Sequence, residues 1–386
     1  MRLLVKVTIL LVIVMSVGCH EQSNSSKSYP FGLRKNGILQ IPIDAFTSYT
    51  SNNIQTFEEG GDTYLVIENE NINGLQYYSV NTSKLVKQFK IPKEGLNSIS
   101  EIRGFTVVNF DSVFVYDNFT LARTLLLNSD GEVKKKYYIR DLDSSVYFNH
   151  ASMTRIPSIY YGSKLFFFKL PSYDFNKPDF FEKNILFEYE YDLLTEKSEY
   201  KQFSWPDSYN NHAWGFLHTI PSRVVDEYGR FLYSFGIEPH LHVNDFHGKY
   251  LTPKAESDFI TQPIQPLGID SSDPSASTKH FMEQGIYGMI IYDNYRKVYY
   301  RIAGVSTDYK DFNGNLIPTT MKPYTIVVLD TAFEKIGETK LEPIGDYYIK
   351  DWFVGSKGLY ISINSPTNKD ILEDAMQFQL FELIEN

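Results

Sequence analysis

Cysteine is nearly absent from this chain, since Cys19 is the only one among 386 residues. A single thiol forms no internal disulfide and cannot build the four-cysteine sites that hold zinc or iron–sulfur centres. Long apolar runs are scarce as well: after residue 18, none reaches the roughly eighteen residues that a membrane-spanning helix needs. We therefore predict a folded body without disulfides, without cysteine-ligated metal and without a further membrane span.

The familiar catalytic motifs are also missing. The chain has no G-x-S-x-G elbow, no H-E-x-x-H motif, no P-loop and no G-x-G-x-x-G motif. Its net charge is −10 and it has no basic stripe interleaved with aromatic residues, so we predict no nucleic-acid partner. We also predict no cofactor. Glycoside hydrolysis by a pair of carboxyl groups is an alternative that the sequence leaves open. The chain has 47 acidic residues, and which of them pair depends on the folded structure.

The N-terminus has the order of a bacterial export signal. Arg2 and Lys6 begin an apolar stretch that continues through residues 7–17, too short for a membrane span but typical of a signal peptide. Small residues at 16–18 lead directly to Cys19. This order resembles the lipobox of bacterial lipoproteins, which implies that Cys19 carries lipid and becomes the mature N-terminus. The alternative is an ordinary signal peptide with an incidental cysteine.

These features predict a signal peptide over residues 1–18, a lipidated cysteine with a flexible tether over 19–35, and one domain over 36–386. The tether is polar and has too little apolar surface to pack. We expect attachment to the outer membrane, because His20 rather than Asp follows the cysteine. Glu21 is the only acid just after Cys19, so facing the periplasm is favoured over surface display.

Short alternating runs rich in aromatic and β-branched residues fill the rest of the chain. Aromatic residues make up 16% of it, and each run ends in Gly, Pro, Asn or Asp. Beyond the signal, no long segment has a convincing 3.6-residue period. The pattern predicts an all-β fold.

Hairpin-like segments recur along the chain at irregular multiples of a common spacing. They are "YYSVNTSKLVKQFKIP", "LLLNSDGEVKKKYYI", "YEYDLLTEKSEYKQFSWP", "IVVLDTAFEKIGETKLEP", "RVVDEYGRFLYSFG" and "IIYDNYRKVYYRIAG". A β-propeller of six or seven four-stranded blades, each of about 40–50 residues plus insertions, would produce this spacing. The alternatives are a pair of β-sandwiches and a twisted barrel. Three Pro- and Gly-rich insertions, at 169–184, 268–281 and 308–324, should lie over one face of the array.

Whole segments also resemble a known family. The pieces "FKIPKEGLNSISEIRGFTVVNFDSVFVYD", "VVDEYGRFLYSF", "YGMIIYDNYRKVYYRIA" and "VVLDTAFEKIGETKLE" are similar to a Bacteroidota lipoprotein family, the domain of unknown function family 4221. The resemblance implies a β-propeller-like fold and a cell-envelope location, and it brings no functional residue with it. Six-bladed propeller lipoproteins of the same bacteria are a looser likeness, echoed at "PKEGLNSI".

The densest histidine group is "HLHVNDFHG", with His240, His242, Asp245 and His247. Residues 240 and 242 of one strand share a face, as two metal ligands must, and imidazole with carboxylate suits zinc, copper or iron. The alternative is a polar turn whose histidines bond to the backbone or face solvent.

A second candidate is "SWPDSYNNHAWGFLH", with Trp205, Asn211, His212 and Trp214. Indole faces flanked by amides suit a sugar ring, which stacks on the aromatic while the amides take its hydroxyls. The alternative is that both tryptophans belong to the core.

Two tripeptides, "DSV" at Asp111 and "DTA" at Asp330, resemble the short O-glycosylation acceptor pattern of Bacteroidota. Ser112 has the sequence context of a strand, so Thr331, in a predicted turn, is the better acceptor.

These observations favour a lipid-anchored cell-envelope propeller that acts as a binding or scaffolding module for a protein or glycan, with no defined catalytic activity. The competing hypothesis is an envelope glycan hydrolase or lyase, using acidic residues with His212 or His240 at the central opening. A sensor or structural lipoprotein without a small ligand is a third option. An enzyme requires converging carboxyls, or a histidine with a carboxyl, whereas a binding module requires an exposed apolar patch.

Overall fold

In the computed structural model of the protein, the residues described are 28–117, 121, 123–140, 148–171, 181, 185–268 and 275–386. Nearly all of their regular structure is β-strand. Two short helices, α1 (Phe216–Thr219) and α2 (Ala276–Glu283), and single 3₁₀ turns at Asp207–Tyr209 and Thr319–Met321 complete it. The all-β prediction is confirmed.

The described strands form antiparallel meanders that follow one another along the chain. The first is β2 (Ile54–Glu59), β3 (Asp62–Asn69), β4 (Gly74–Ser79) and β5 (Lys84–Lys90), and the second is β6 (Ile102–Asn109), β7 (Ser112–Asp117), β8 (Thr124–Leu127) and β9 (Val133–Tyr137). The third is β10 (Phe148–Ala151), β11 (Ile159–Tyr161), β12 (Lys164–Pro171), β13 (Glu188–Asp192) and β14 (Lys197–Tyr200), and the fourth is β15 (Ser222–Val225), β16 (Phe231–Ser234), β17 (Leu241–Asn244) and β18 (Tyr250–Leu251).

An eight-stranded sheet contains the last two meanders, joined by one parallel bridge between Phe31 and Gly337. The fifth meander is β19 (Ile286–Asp293), β20 (Val298–Gly304), β21 (Tyr324–Leu329) and β22 (Lys335–Lys340). The sixth is β23 (Tyr348–Gly355), β24 (Gly358–Ser362), β25 (Ala375–Glu385) and the N-terminal strand β1 (Phe31–Pro42). Within the described residues the sheets thus give six units in a propeller-like arrangement, five of four strands and the third of five, β10 and β11 both pairing with β12.

The first strands of the meanders surround a common axis. Strand β2 contacts β6 and β23, strand β19 contacts β15 and β23, and β11 contacts β6. Apolar clusters fill the gap between each meander and the next, and one further cluster joins the sixth to the first. Ile54 and Phe353 meet in that last cluster, which closes the ring.

Chain closure also corrects one predicted boundary. Strand β1 begins at Phe31 and pairs with β25 over ten residue pairs, from Phe31 with Glu385 to Pro42 with Ala375. The tether was predicted to run to residue 35, but residues 31–35 belong to β1. Those residues pair with the C-terminal strand β25, which is distant in the chain, so local sequence does not reveal the pairing.

The repeated hairpins predicted from sequence are the hairpins of these meanders. Four of them are the outer hairpins β4–β5, β8–β9, β13–β14 and β21–β22, and the other two are the inner hairpins β15–β16 and β19–β20. Their irregular spacing reflects insertions between strands.

Because every meander is antiparallel, its connections fall on two opposite faces. We call the face at which the first strands begin the leading face, and the opposite one the trailing face. Connections between second and third strands also lie on the leading face. This places the connection that carries 308–317 and helices α1 and α2 there. Of the three predicted insertions, residues 172–180, 182–184 and 269–274 lie outside the described residues.

Within the described part of the chain, no helix combines the length and apolar character needed to cross a membrane.

Candidate binding site at the leading face

The inner strand of the third meander is interrupted. Strands β10 and β11 both pair with β12, and residues 152–158 between them leave the sheet. Pro157 lies in this excursion, and proline cannot donate to a central β-ladder. We call residues 152–158 the axial segment, because they contact the first strands of several other meanders.

Thr154 fastens the axial segment to the first meander. The Thr154 backbone N–H donates to Asn52 O at 2.9 Å, and its hydroxyl donates to the same carbonyl at 3.2 Å. The hydroxyl oxygen in turn accepts from the backbone N–H of Ile54 at 2.8 Å. Since the second meander lies between the first and third in the ring, this link joins two meanders that are not neighbours.

Arg155 fastens the axial segment to the fourth meander. Its Nε donates to Pro221 O at 3.1 Å and its Nη2 donates to Ile220 O. The Arg155 carbonyl accepts from the Ser222 hydroxyl at 2.8 Å and from the Arg223 backbone N–H at 3.1 Å. Both the side chain and the backbone of Arg155 are therefore fixed.

A glycine makes room for the axial segment beside the second meander. Gly104 has a φ of +147°, and a Cβ built there would lie 2.3 Å from the Cβ of Ser152. A further contact follows at Ser158, whose carbonyl accepts from the Thr106 hydroxyl at 3.0 Å. Any side chain at position 104 would displace the segment.

A buried ion pair packs against the axial segment. Arg223 bonds to Glu188, and both side chains have no solvent exposure. Arg223 also donates to Pro157 O at 2.7 Å, and the Tyr233 hydroxyl donates to the other Glu188 oxygen at 2.8 Å. Breaking such a buried pair by removing one partner typically costs about 3–5 kcal/mol, so this base is rigid.

The guanidinium of Arg155 has one edge without a protein partner. Its Nη1 donates to no atom of the described residues, and Arg155 forms no ion pair among them, although its side chain keeps partial solvent access. Burial lowers the pKa of Arg155 to about 10. The side chain therefore lies deep among protein atoms.

Two buried polar side chains near the start of β2 and in β23 also lack partners. Asp351 accepts from the Ser51 backbone N–H at 2.6 Å through one oxygen, while its other oxygen and both amide atoms of Asn53 find no partner among the described residues. Burial raises the pKa of the Asp351 carboxyl well above its ordinary value. Burial, reinforced by the charge of Glu70, raises the pKa of Glu68 to about 8.

Helix α2 is held on the leading face by a buried lysine. Lys322 Nζ donates to the carbonyls of Phe281, Met282 and Gln284, the unsatisfied acceptors at the C-terminal end of the helix. Burial lowers the pKa of Lys322 to about 7.

Two shallow grooves flank α2. One, of about 400 Å³, is lined by Ser275, Lys279, Glu283, Asp308, Tyr309 and Lys310. The other, of about 370 Å³, lies between residues 260–265, the residues after α2 and Ser306. The inserted segments therefore form the grooves of the leading face.

Exposed apolar side chains cluster on the same inserted segments. Phe312 is 98% exposed and Leu316 is 60% exposed in the hairpin after β20, and α1 exposes Phe216 and Leu217. The hairpin packs on α2, because Tyr309 and Ile317 lie against the cluster of Phe281, Met282 and Ile286. Exposed apolar groups on a well-packed base are typical of interaction surfaces.

The prediction that Trp205 and Trp214 stack on a sugar ring is wrong. Trp205 and Trp214 are 6% and 5% exposed and belong to the core between the third and fourth meanders. Their indole N–H groups donate to Thr219 O at 3.0 Å and Tyr209 O at 3.2 Å, respectively. Only Asn211 and His212 remain exposed, so the indole faces are not available for stacking.

The predicted metal group does not converge either. His240 directly precedes β17 and Asp245 directly follows it. A strand rises about 3.3 Å per residue, so these two side chains are far apart along the chain direction. His242 is buried with Nδ1 against the Tyr250 hydroxyl, and Asp245 caps the turn by accepting from the His247 backbone N–H at 2.8 Å. Among the described residues no three His, Cys, Asp or Glu side chains lie close enough to hold a metal ion.

Thr331 lies in the turn between β21 and β22, on the trailing face and partly buried. Asp330 orders this turn by accepting from the Ala332 and Glu334 backbone N–H groups, both at 2.9 Å. Ser112 begins strand β7. O-glycosylation of Thr331 stays a prediction, and Cys19 lies outside the described residues.

Sequence reasoning missed Arg155. The local string "SMTRIPSIYY" gives an isolated arginine, and only Pro157 signals that the strand is interrupted. The partners of Arg155 are about 66 residues away in the chain, beyond the reach of a local pattern.

The family described as domain of unknown function DUF4221 matches residues 30–340. The chain belongs to the DUF4221 family. This confirms the resemblance seen in its sequence segments.

Solved structures agree with this membership. A DUF4221 member from Bacteroides vulgatus is 25% identical and superposes with a TM-score of 0.80, covering 93% of this DUF4221 chain and 100% of that one. A Bacteroides fragilis protein described as exported is 9% identical with a TM-score of 0.54, covering 92% and 96% of the two chains, which is a likeness of fold alone. No curated protein matches the chain significantly.

Proposed function

We propose that this DUF4221 protein is a lipid-anchored cell-envelope module whose leading face binds a protein or glycan partner. The observation that carries the proposal is the exposed apolar group on the inserted segments, Phe312, Leu316, Phe216 and Leu217. These side chains lie on the face that also holds the fixed axial segment. A rigid base with exposed apolar loops suits recognition, because little order is lost on binding.

Anchoring through Cys19 supports an envelope role for this face. The lipobox-like order at residues 16–19 and the polar residues that follow would hold the propeller beside the outer membrane. Burial of acyl chains contributes roughly 0.8 kcal/mol per CH₂, so a multiply acylated cysteine anchors firmly. Metabolic labelling with an alkyne palmitate tests this: label should enter the wild-type chain and be lost in Cys19→Ser, whereas an ordinary signal peptide leaves both unlabelled.

The glycan hydrolase or lyase alternative has less support. Glu68 and Asp351 have the raised pKa values of general acids. However, one oxygen of Asp351 accepts from Ser51 N and the other is buried, so neither reaches a substrate without rearrangement. His212 is exposed in the connection before β15, and His240 lies beside Glu238 at 3.8 Å.

The binding proposal is tested with the soluble mature chain carrying Cys19→Ser. Glycan arrays and pull-downs from envelope extracts are run on this chain and on a Phe312→Ser/Leu316→Ser double variant. Tyr228→Ser is the matched control, because Tyr228 is 59% exposed in the turn between β15 and β16, on the trailing face. We expect binding to fall at least tenfold in the double variant and to persist in the control. Equal binding by both variants would refute the assignment to the leading face.

A further inference from the structure

We propose that acid releases helix α2, and the hairpin packed on it, from the leading face. The release depends on a buried pair of histidines that joins α1 to α2. We call residues 307–317 the α2 hairpin, because they pack on α2. The release stands on this packing alone, whereas its consequence for partner binding rests on the proposed function.

The two histidines hold the helices together. His218 of α1 and His280 of α2 are 1% and 8% exposed, and their ring centroids are 4.5 Å apart at an interplanar angle of 65°. His218 Nε2 donates to Gly285 O at 3.0 Å, just beyond α2. His280 Nε2 donates to Gln265 O at 2.7 Å. A carbonyl oxygen only accepts, so each Nε2 carries the hydrogen and Nδ1 of each neutral ring is unprotonated.

This arrangement has no place for a further proton. Protonation of His280 would add an N–H at Nδ1, which is buried and has no hydrogen-bond partner among the described residues. A buried donor without an acceptor is unfavourable. Protonation of both rings would also bring two positive charges into contact.

Neighbouring charges act in the same direction. Among the described residues, the other charged groups that influence the pair are Lys322, Arg155 and Glu283. Lys322 donates to three carbonyls at the end of α2, one for each N–H of its ammonium, so its positive charge is fixed there. Glu283 is exposed, so solvent screens its charge. Two cations therefore oppose a charged histidine more strongly than one exposed acid favours it.

These surroundings set the direction of the pH dependence. Burial, reinforced by the charge of His280, lowers the pKa of His218 to about 3, and burial also lowers the pKa of His280. A histidine freed into solvent has a pKa of about 6.5. Below that pH the released rings bind protons and the packed rings do not, so acid favours release. Between about pH 7.5 and about pH 5, His218 alone should raise the equilibrium constant for release about thirtyfold.

The α2 hairpin should leave its position with the helix. The Thr307 backbone N–H donates to Met282 O at 2.9 Å, and Tyr309 and Ile317 pack on the apolar cluster at α2. The exposed apolar side chains of the leading face that lie in this hairpin have no other base. Release of α2 therefore removes the surface that positions them for a partner.

Hydrogen–deuterium exchange of the mature Cys19→Ser chain tests the inference at about pH 7.5 and about pH 5, with rates corrected for the intrinsic effect of pH. The readouts are the amides of α2 and the α2 hairpin, and the buried strand β20 reports global unfolding. The variant is His218→Gln/His280→Gln, whose side-chain amides still donate to carbonyls but do not titrate. His247→Gln is the matched control, since His247 is exposed in the turn between β17 and β18.

We expect α2 and its hairpin to exchange faster than β20 at both pH values, because they open without the rest of the fold. Their exchange should be at least tenfold faster at about pH 5 than at about pH 7.5 in the wild type and in His247→Gln. The double variant should lose this acid response. If it does not fold, His280→Gln decides by a response weaker than that of the wild type. Exchange of α2 only together with β20, no acid response, or an equal response in the variant overturns the inference.

Partner binding separates this inference from the proposed function. Capture that depends on Phe312 and Leu316 should be at least tenfold weaker at about pH 5 than at about pH 7.5, and the double variant should show a smaller difference. Acid release of α2 in a chain that captures no partner would count against the binding function alone. Capture without acid release of α2 would overturn the release alone.

Discussion

The hydroxyl oxygen of Thr154 accepts a hydrogen bond from the backbone N–H of Ile54 at 2.8 Å, although the two residues are 100 positions apart. This bond joins the third meander to the first, past the second meander that lies between them. It fixes the axial segment, and with it Arg155, relative to the start of β2.

Thr154→Val should therefore destabilise the protein. The substitution keeps the branched shape but removes the acceptor of the Ile54 N–H, and an unsatisfied buried donor costs about 1–3 kcal/mol. Chemical denaturation followed by fluorescence measures the loss. Thr154→Ser, which keeps the hydroxyl, should retain most of the stability, and equal losses in both variants would count against the role of this bond.

Gly104→Ala should be more harmful than the same change at an open glycine. A Cβ at 104 meets Ser152 at 2.3 Å, whereas Gly248, with a φ of +116°, has nothing within 4 Å. Both positions incur backbone strain, but only 104 adds overpacking of about 1–3 kcal/mol. The free energy of unfolding of Gly104→Ala should lie below that of Gly248→Ala by this amount, and similar values would show that the segment does not approach Gly104.

The buried histidines predict loss of stability in acid. Burial lowers the pKa of His150 to about 4, below its unfolded value of about 6.5. Between these values the unfolded chain binds the proton and the folded chain does not, so stability falls as the pH drops from about 6.5 to about 4. His150→Phe, which keeps the ring packing against Tyr116 and Phe167, should flatten this part of the unfolding profile. Exposed His247→Gln serves as the control, and a profile unchanged in His150→Phe would contradict the prediction.

Trp214→Ala separates a core role from a ligand role. The side chain is buried and donates to Tyr209 O, so we expect a loss of about 3–5 kcal/mol of stability. Its exposed neighbour His212, whose ring touches that of Trp214, gives the matched variant His212→Ala. Thermal unfolding should show a large fall for Trp214→Ala and a small one for His212→Ala. A stable Trp214→Ala variant with impaired sugar binding would restore the stacking hypothesis.

The strands could be predicted from local sequence, because alternation with period two and turn residues are local signals. The run "DTYLVIEN" is β3, and the run "GLYISIN" contains the whole of β24, as their patterns predict. The pairing of β1 with β25 was not predictable in this way, since its partners are over 300 residues apart and the charged "LRKNG" has the composition of a tether.

The candidate site was less predictable than the fold. Trp214 follows Pro, Asn and His, a setting typical of exposed loops, yet packing against Tyr209 and Phe235 decides its burial. Arg155 carries no motif, and its significance comes from carbonyls of another meander and from an unpartnered Nη1. Such features exist only once distant strands are assembled around the axis.

The assignment of binding to the leading face is tested most directly by photo-crosslinking in living cells. A photoreactive phenylalanine analogue replaces Phe312 on the leading face or Tyr228 on the trailing face, both exposed positions. We expect discrete envelope adducts from position 312 and none of comparable yield from position 228. Adducts from 228 alone, equal adducts from both, or none from 312 would contradict it.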